Sequence, residues 1–454
     1  MNETKKDRGS FSSGIGFVLA AAGSAVGLGN LWRFPYLAAQ YGGGIFIVIY
    51  IIIALTFGFT IMTTEIAIGR KTGVSPLIAY GKIHSKFKFL GVLACIVPII
   101  ILPYYCVIGG WVMKYMFTFV GGNGVAAAGS DFFGNFIGST GSPLGFFAFF
   151  LAITAIIVLL GVNKGIERVS KVLMPALLVL AVVICIFIMT MDGSGEGIKY
   201  YLVPDMAKFT WKAIPAALGQ IFYSMSLAMG IMITYGSYTK KETNLVKSVN
   251  QIEIFDTVVA LLAGFMVVPV VYMVGGAEAT ANSGPGLMFV ALPQVFNAMP
   301  AGGVLGALFF ILVFFAALTS SISLMEAILS CFMDKFKIGR IPACLAVLVL
   351  SIILGVPSSM GNGAWAHITL AGMDFLTFFD WISNSVLMPI VALITCIMIG
   401  YFVKPKVILE EATRNGEKLG RKGLYIVMVK VVAPICLVII LLAYTLAQFG
   451  LFSM

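Results

Sequence analysis

"GSAVGLGNLWRFPYLAAQYGGG" runs from Gly23 to Gly44, inside the first long apolar stretch of the chain. These positions hold six glycines, a proline, an asparagine and an arginine. Each glycine weakens a helix interior by about 1 kcal/mol relative to alanine, and proline removes a backbone hydrogen bond. An arginine facing lipid is costlier still. A segment whose only task was to cross a bilayer would avoid all of these. The pattern therefore reads as a spanning helix that is interrupted for a purpose.

The rest of the chain gives that helix its setting. Of 454 residues, 60% are hydrophobic and 11% charged, with a mean hydropathy of +1.03. Soluble domains carry about 25% charged residues, so the composition is that of a polytopic membrane protein. A formal charge of +10 could suggest nucleic acid as a partner, but its placement excludes that. Lys and Arg cluster at Lys5–Arg8, Arg70–Lys88, Lys164–Lys171, Lys240–Lys247, Lys335–Arg340 and Lys404–Lys422, alternating with loops near 121–144, 275–300 and 356–372 that have none. Only the 191–212 loop departs from this positive-inside pattern, with Lys199, Lys208 and Lys212. A cytoplasmic N-terminus and a multi-pass place in the cell membrane follow as expectations.

A spanning helix needs about 20 apolar residues. Runs near 12–38, 42–69, 89–119, 144–161, 167–190, 212–237, 245–274, 301–333, 341–356, 373–403 and 424–450 meet that need, the ninth being short. Eleven spans put the C-terminus outside. The first run is too long for a cleavable signal peptide and does not end in a small-residue cleavage pattern. The seven cysteines lie in or beside apolar runs, so no disulfide framework is expected, and two scattered histidines offer no metal site.

A second interruption reads "QIFYSMSLAMG" (Gln220–Gly230), in span six, five spans after the first. Broken helices at matching positions of two halves point to a transporter built from inverted repeats. Close helix packing explains glycines such as Gly43, Gly109 and Gly110 well. It explains an asparagine followed by an arginine poorly.

Five segments, "AVGLGNLWRFPYLAAQYGGGIF" (25–46), "EIAIGR" (65–70), "YGSYTKKE" (235–242), "GPGLMFVALPQVF" (284–296) and "FFAALTSSIS" (314–323), occur in an order that resembles the neurotransmitter:sodium symporter family. The eleven spans and short tails resemble its prokaryotic amino acid transporters. The implied fold is an all-α polytopic membrane protein with inverted five-helix repeats, near 12–190 and 212–403, and broken helices one and six. An extra helix falls near 424–450, and the whole chain, 1–454, is one transmembrane domain.

Unwound carbonyls are hard oxygen ligands suited to a dehydrated Na⁺, and half-helix N-termini suit a carboxylate. The resemblance implies two Na⁺ sites. One comprises the Ala25 carbonyl with Asn30, Ser224 and Asp256, completed by a substrate carboxylate. The other comprises the carbonyls of Gly23, Val26 and Ala316 with the hydroxyls of Thr319 and Ser320. On the residues alone, "LTSS" reads equally well as hydroxyls bonding back to their own helix. Asp256 stands where many relatives have asparagine and use chloride, or a glutamate one turn on where this chain has Ala260. Its own charge makes chloride unnecessary, and chloride is not expected.

The implied substrate pocket is Ser24, Ala25, Gly29, Ile101, Tyr105, Tyr223, Ser224, Ser226, Met229, Ser320 and Leu324, with the Tyr105 hydroxyl on the substrate carboxylate. Arg33 with Asp374 would form an outer gate, and Arg8 with Asp334 an inner one near Ser237 and Tyr238. Glu65, a carboxylate inside the membrane, is expected to cap unwound N–H groups; Glu326 is assigned no role. Ala228 stands where relatives commonly have glycine. Gly27 stands where amine-transporting relatives carry aspartate, so a substrate with its own carboxylate is expected, and the apolar lining favours a hydrophobic or aromatic amino acid. The lipid bilayer is the expected setting, with the chain a monomer or weak dimer.

A proton-coupled transporter is the nearest rival, since Glu65, Asp256 and Glu326 could relay protons. A non-transporting sensor lacks an output domain, and no nucleophile–base or metal constellation suggests an enzyme. A channel fits paired gates less well than alternating access does.

Overall fold

The computed structural model describes residues 9–281 and 285–448. Nine described helices are long and apolar enough to cross a membrane. They are span two (Gly44–Thr72), three (Ser85–Val120), four (Gly141–Leu159), five (Val162–Met189), seven (Leu245–Gly276), eight (Gly302–Phe336), nine (Arg340–Met360), ten (Phe375–Val403) and eleven (Lys422–Gln448). A tenth is a pair of helices, Gly14–Ala25 and Gly29–Gln40, bent by 49° at the break between them. Span six is a second pair, Ala213–Ser224 and Ile231–Tyr238. The two interrupted runs are thus the two broken helices.

The local chemistry shows why each break falls where it does. Ser13 caps the first half of span one by accepting a hydrogen bond from the Gly16 N–H at 3.1 Å. The half ends at Val26, whose backbone is extended (ψ 95°), before Gly27 and Gly29. Pro35 sits where the wide first turns, Gly29–Arg33, pass into the regular helix Phe34–Gln40. In span six the break is sharper. Ser226 (φ 52°), Ala228 (φ 59°) and Gly230 (φ 72°) are all left-handed, a conformation that costs a non-glycine residue about 1 kcal/mol. Ala228 bears that strain without the freedom glycine would give.

The glycine triplet at 42–44 does a different job. Gly42 (φ 85°) and Gly43 (φ 59°) turn the chain from span one into span two. A side chain at Gly43 would run into the Tyr200 carbonyl, and one at Gly44 would lie 2.5 Å from the Val203 carbonyl carbon. Tyr200 belongs to a helix, Ser194–Leu202, within the connection between spans five and six that departs from the positive-inside pattern. Gly109 and Gly110 of span three likewise meet Phe150 and Phe147 of span four.

Burial separates the core from the lipid-facing shell. The apolar window of span three is 72% buried, against 28% for span eleven and 33% for spans five and nine. Span three packs most closely on span eight, and the broken spans one and six lie beside them. The breaks therefore fall in the centre of the bundle, away from lipid, where irregular backbone is tolerated.

Candidate substrate and ion site

Breaking span one leaves carbonyls and N–H groups without helical partners, and side chains from spans three, six and eight and from span one itself answer them. The Ser320 hydroxyl of span eight lies 3.3 Å from the Gly23 carbonyl oxygen, 3.0 Å from that of Ser24 and 3.4 Å from that of Val26. Ser226 donates to the Ser24 carbonyl at 2.9 Å, and the Ser24 and Ser226 hydroxyls meet at 3.0 Å. On the N–H side, Gly27 donates to Asn30 Oδ1 at 3.2 Å and Leu28 donates to the Tyr105 hydroxyl oxygen at 3.2 Å. This is a cluster of carbonyl and hydroxyl oxygens with no lipid contact, the donor type a dehydrated Na⁺ takes.

The two readings of "LTSS" divide between neighbours. Ser320 reaches across to span one. Thr319 bonds back to the Phe315 carbonyl at 3.0 Å and the Ala316 carbonyl at 3.1 Å. It still faces the break, because a side chain on Gly23 would come within 3.2 Å of its Cβ. Gly23, Val26 and Ser320 are brought directly together, with Thr319 beside them and Ala316 one turn before Ser320.

Spans one, two and six converge on Asp256 of span seven, which is fully buried. Asn30 Nδ2 donates to Asp256 Oδ1 at 2.8 Å and to the Asp256 carbonyl at 3.2 Å. The Tyr50 hydroxyl donates to Oδ2 at 3.2 Å, and the Ser224 hydroxyl does so at 3.4 Å. Tyr50 was missed at the sequence level, although it is the only hydroxyl in the apolar run Ile45–Leu55. Lys247 lies near the start of the same helix, and Asp256 bonds instead to partners deeper in the bundle.

Ser24, Ala25, Gly29, Ile101, Tyr105 and Tyr223 line one cavity with Ser226, Met229, Ser320 and Leu324; Ser224 is held at the adjoining Asp256 cluster. The cavity has room for only about 20 Å³, one water's worth, so the walls stand closed over it. Gly27 also lines it, and the space its side chain would need is filled: a Cβ there would lie 2.5 Å from Ser320 Oγ and 2.8 Å from the Tyr105 hydroxyl oxygen. Gly27→Ala is expected to displace both and to weaken substrate binding about tenfold or more, since two hydrogen bonds of about 1 kcal/mol each are disturbed. Equilibrium binding to wild type and variant would show it, and unchanged affinity would remove these hydroxyls from the site.

Glu65 accepts a hydrogen bond from the Ala228 N–H at 2.9 Å, at the break of span six, while its second oxygen, Oε2, is buried with no hydrogen-bond partner among the described residues. Gln220 donates to the Gly29 carbonyl at 2.7 Å. The sequence reading had not singled out Gln220.

At the start of span ten, the expected Arg33–Asp374 pair is not formed. Asp374 caps span ten, accepting from the Thr377 N–H at 3.1 Å and hydroxyl at 2.5 Å. Asp380, nearly two turns further along span ten, is half-buried and held by Asn384 at 2.6 Å, and it shares with Arg33 the lining of one cavity. Arg33 itself donates to the Tyr444 hydroxyl at 3.2 Å and lies over the Tyr223 ring. A cavity of about 380 Å³ lies above, lined by Trp32, Arg33, Trp111, Phe289, Asp374 and Asp380.

On the opposite side, Arg8 lies outside the described residues. Asp334 accepts from the Ser75 N–H at 2.7 Å, and Ser237 donates to the Thr234 carbonyl at 2.6 Å. Glu326 acquires a place here. Its Oε1 accepts from the Tyr238 hydroxyl at 2.7 Å and from Arg340 Nη1 at 3.2 Å, and Arg340 Nη2 closes a short ion pair on Oε2. Glu167 of span five holds the start of span one, accepting from the Ser12 N–H at 2.7 Å while Lys171 pairs with it at 2.7 Å. Nothing in their spacing links Glu326 with Arg340 or Ser12 with Glu167.

Two broken helices facing each other inside a membrane bundle, with oxygen clusters at the breaks and closed layers above and below, define a small-molecule transporter. The Sodium:neurotransmitter symporter family matches residues 8–123 and 134–451, and the chain belongs to that family. An uncharacterised sodium-dependent transporter of Bacillus subtilis is 33% identical over 95% of this chain and 96% of its own. One of Methanocaldococcus jannaschii is 33% identical over 95% of this chain and 89% of its own. The crystal structure of MhsT in complex with L-phenylalanine superposes with a TM-score of 0.86, at 35% identity, over 96% of this chain and 99% of that one. The protein is a sodium-dependent, multi-pass membrane transporter and not an enzyme.

Proposed function

We propose that the protein is a symporter that imports a hydrophobic or aromatic amino acid with Na⁺ by alternating access. The observation that carries this reading is the cavity at the two breaks: apolar walls from Ile101, Tyr223, Met229 and Leu324 meet the oxygen cluster of Ser24, Ser226 and Ser320. Burying a leucine- or phenylalanine-sized side chain against such walls is worth about 1.5–3 kcal/mol, and a charged one would lie there unpaired. The L-phenylalanine held by MhsT supports the same substrate class.

Two Na⁺ ions travel with the substrate, one at Asn30, Ser224, Asp256 and the Ala25 carbonyl, the other at the carbonyls of Gly23, Val26 and Ala316 with Thr319 and Ser320. Tyr105 holds the substrate carboxylate beside the first ion. The empty space of the closed cavity is far smaller than an amino acid, so substrate entry parts Tyr223 and Leu324 from span one. Arg33 and Asp380 close the outer side over it. Asp334 and the Glu326–Arg340–Tyr238 cluster close the inner side. Spans one to five and six to ten rock against each other as inverted repeats, and span eleven stands outside them. The N-terminus is cytoplasmic and the C-terminus external, as the basic loops require.

The test of substrate class is competition between a labelled apolar amino acid and its own decarboxylated amine. The parent amino acid is expected to compete at least 100-fold better, because the amine offers neither Tyr105 nor Na⁺ a carboxylate. Equal competition would mean that the pocket recognises side chain and ammonium alone.

A further inference from the structure

Well away from the transport path, a cavity of about 830 Å³ lies between the end of span ten, the short helix Pro405–Ala412 and the first turns of span eleven. Four lysines line it, Lys404, Lys406, Lys422 and Lys430, against two glutamates. Both glutamates are engaged locally. Glu410 lies 3.6 Å from Lys406, and Glu417 accepts from the Asn415 N–H at 2.8 Å and Nδ2 at 3.2 Å. The ammonium groups of Lys404, Lys422 and Lys430 make no ion pair or hydrogen bond among the described residues.

Lys430 is the telling one. It is half-buried and sits eight residues into span eleven, about 12 Å along the helix from Lys422. A cation at that depth is costly unless it snorkels or meets an anion. The surrounding chain makes room for it. At Gly400 of span ten, a Cβ would touch the Lys430 Cγ at 3.5 Å, and the Tyr401 hydroxyl donates to the Lys430 carbonyl at 2.7 Å. The lysines share the cavity with apolar lining, Leu409, Leu419 and Ile426, and with Tyr401 of span ten, which is 60% exposed. Cationic and apolar lining together match a molecule with an anionic head and hydrocarbon tails.

We propose that this cavity binds the headgroup of an anionic phospholipid, its phosphodiester on Lys404, Lys422 and Lys430 and its acyl chains along the outer faces of spans ten and eleven. Span ten also carries Asp380, which lines one cavity with Arg33, so an occupied site would anchor the opposite end of that helix.

The test uses the purified full chain in detergent, titrated with phosphatidylglycerol or phosphatidylcholine, with bound lipid counted by native mass spectrometry. Phosphatidylglycerol should bind saturably and more tightly than phosphatidylcholine. Lys422→Gln and Lys430→Gln should each weaken it about fivefold. Lys430→Arg should retain it, and Lys86→Gln, which removes an exposed lysine elsewhere, should leave it unchanged. Equal binding of the two lipids, or an equal loss in Lys86→Gln, would overturn the site in favour of diffuse surface attraction. Displacement of phosphatidylglycerol by inorganic phosphate at matched concentration would overturn the lipid in favour of a soluble anion. Should Lys430→Gln fail to purify as folded protein, Lys422→Gln decides the matter alone.

Discussion

Asp256→Asn is expected to raise the Na⁺ concentration needed for half-maximal uptake by roughly 100-fold, or to make uptake depend on chloride. Asp256 is fully buried and gathers Asn30, Tyr50 and Ser224 around one carboxylate. Removing a charged partner from a buried pair costs about 3–5 kcal/mol. The amide keeps the shape and loses the charge, so a soluble anion becomes the remaining source of negative charge at the first ion. Wild type should be indifferent when chloride is replaced by gluconate, because it carries that charge itself. Uptake in wild type that stalls in gluconate would refute the role given to Asp256.

The second large effect concerns the fold. Arg70, from the segment "EIAIGR", is buried with Glu411 of the helix Pro405–Ala412. Its Nε donates to Glu411 Oε1 at 2.8 Å, its Nη1 donates to the Thr243 carbonyl at 2.7 Å, and its Nη2 bonds the Glu411 carbonyl. One guanidinium thereby ties span two, the loop after span six and the helix after span ten. Glu411→Ala should destabilise the protein by about 3–5 kcal/mol, because it strands a buried charge. The midpoint of thermal unfolding in detergent would report it. Arg70→Met with Glu411→Leu should recover much of the loss, since no charge is then left unpaired. A double variant as unstable as the single one would assign the effect to the carbonyl bonds rather than to the ion pair.

What could be read from the sequence followed chain neighbours. Gly27 and Gly29 beside Asn30, and Ser226 to Gly230 in span six, announce their breaks because helix chemistry is local. The family motifs then carried over residues such as Ser320 and Asp256 that lie far apart in the chain. What escaped was the choice between equivalent partners. Asp374 and Asp380 both begin span ten, and spacing gave no reason to prefer the second. In the fold the residue at the helix start is drawn into capping Thr377, while the one nearly two turns deeper is held by Asn384 and lines a cavity with Arg33. Tyr50 was hidden by its aromatic ring in an apolar run, and Glu326 by the residues that separate it from Arg340.

The most direct measurement is uptake of a labelled apolar amino acid into proteoliposomes containing the purified protein. With an inward Na⁺ gradient, substrate should accumulate above its external concentration, and replacing Na⁺ by K⁺ on both sides should abolish accumulation. Ser320→Ala should weaken the Na⁺ dependence while the protein remains folded. Accumulation that persists in K⁺ and follows an imposed pH gradient instead would contradict sodium coupling and place the driving charge on protons.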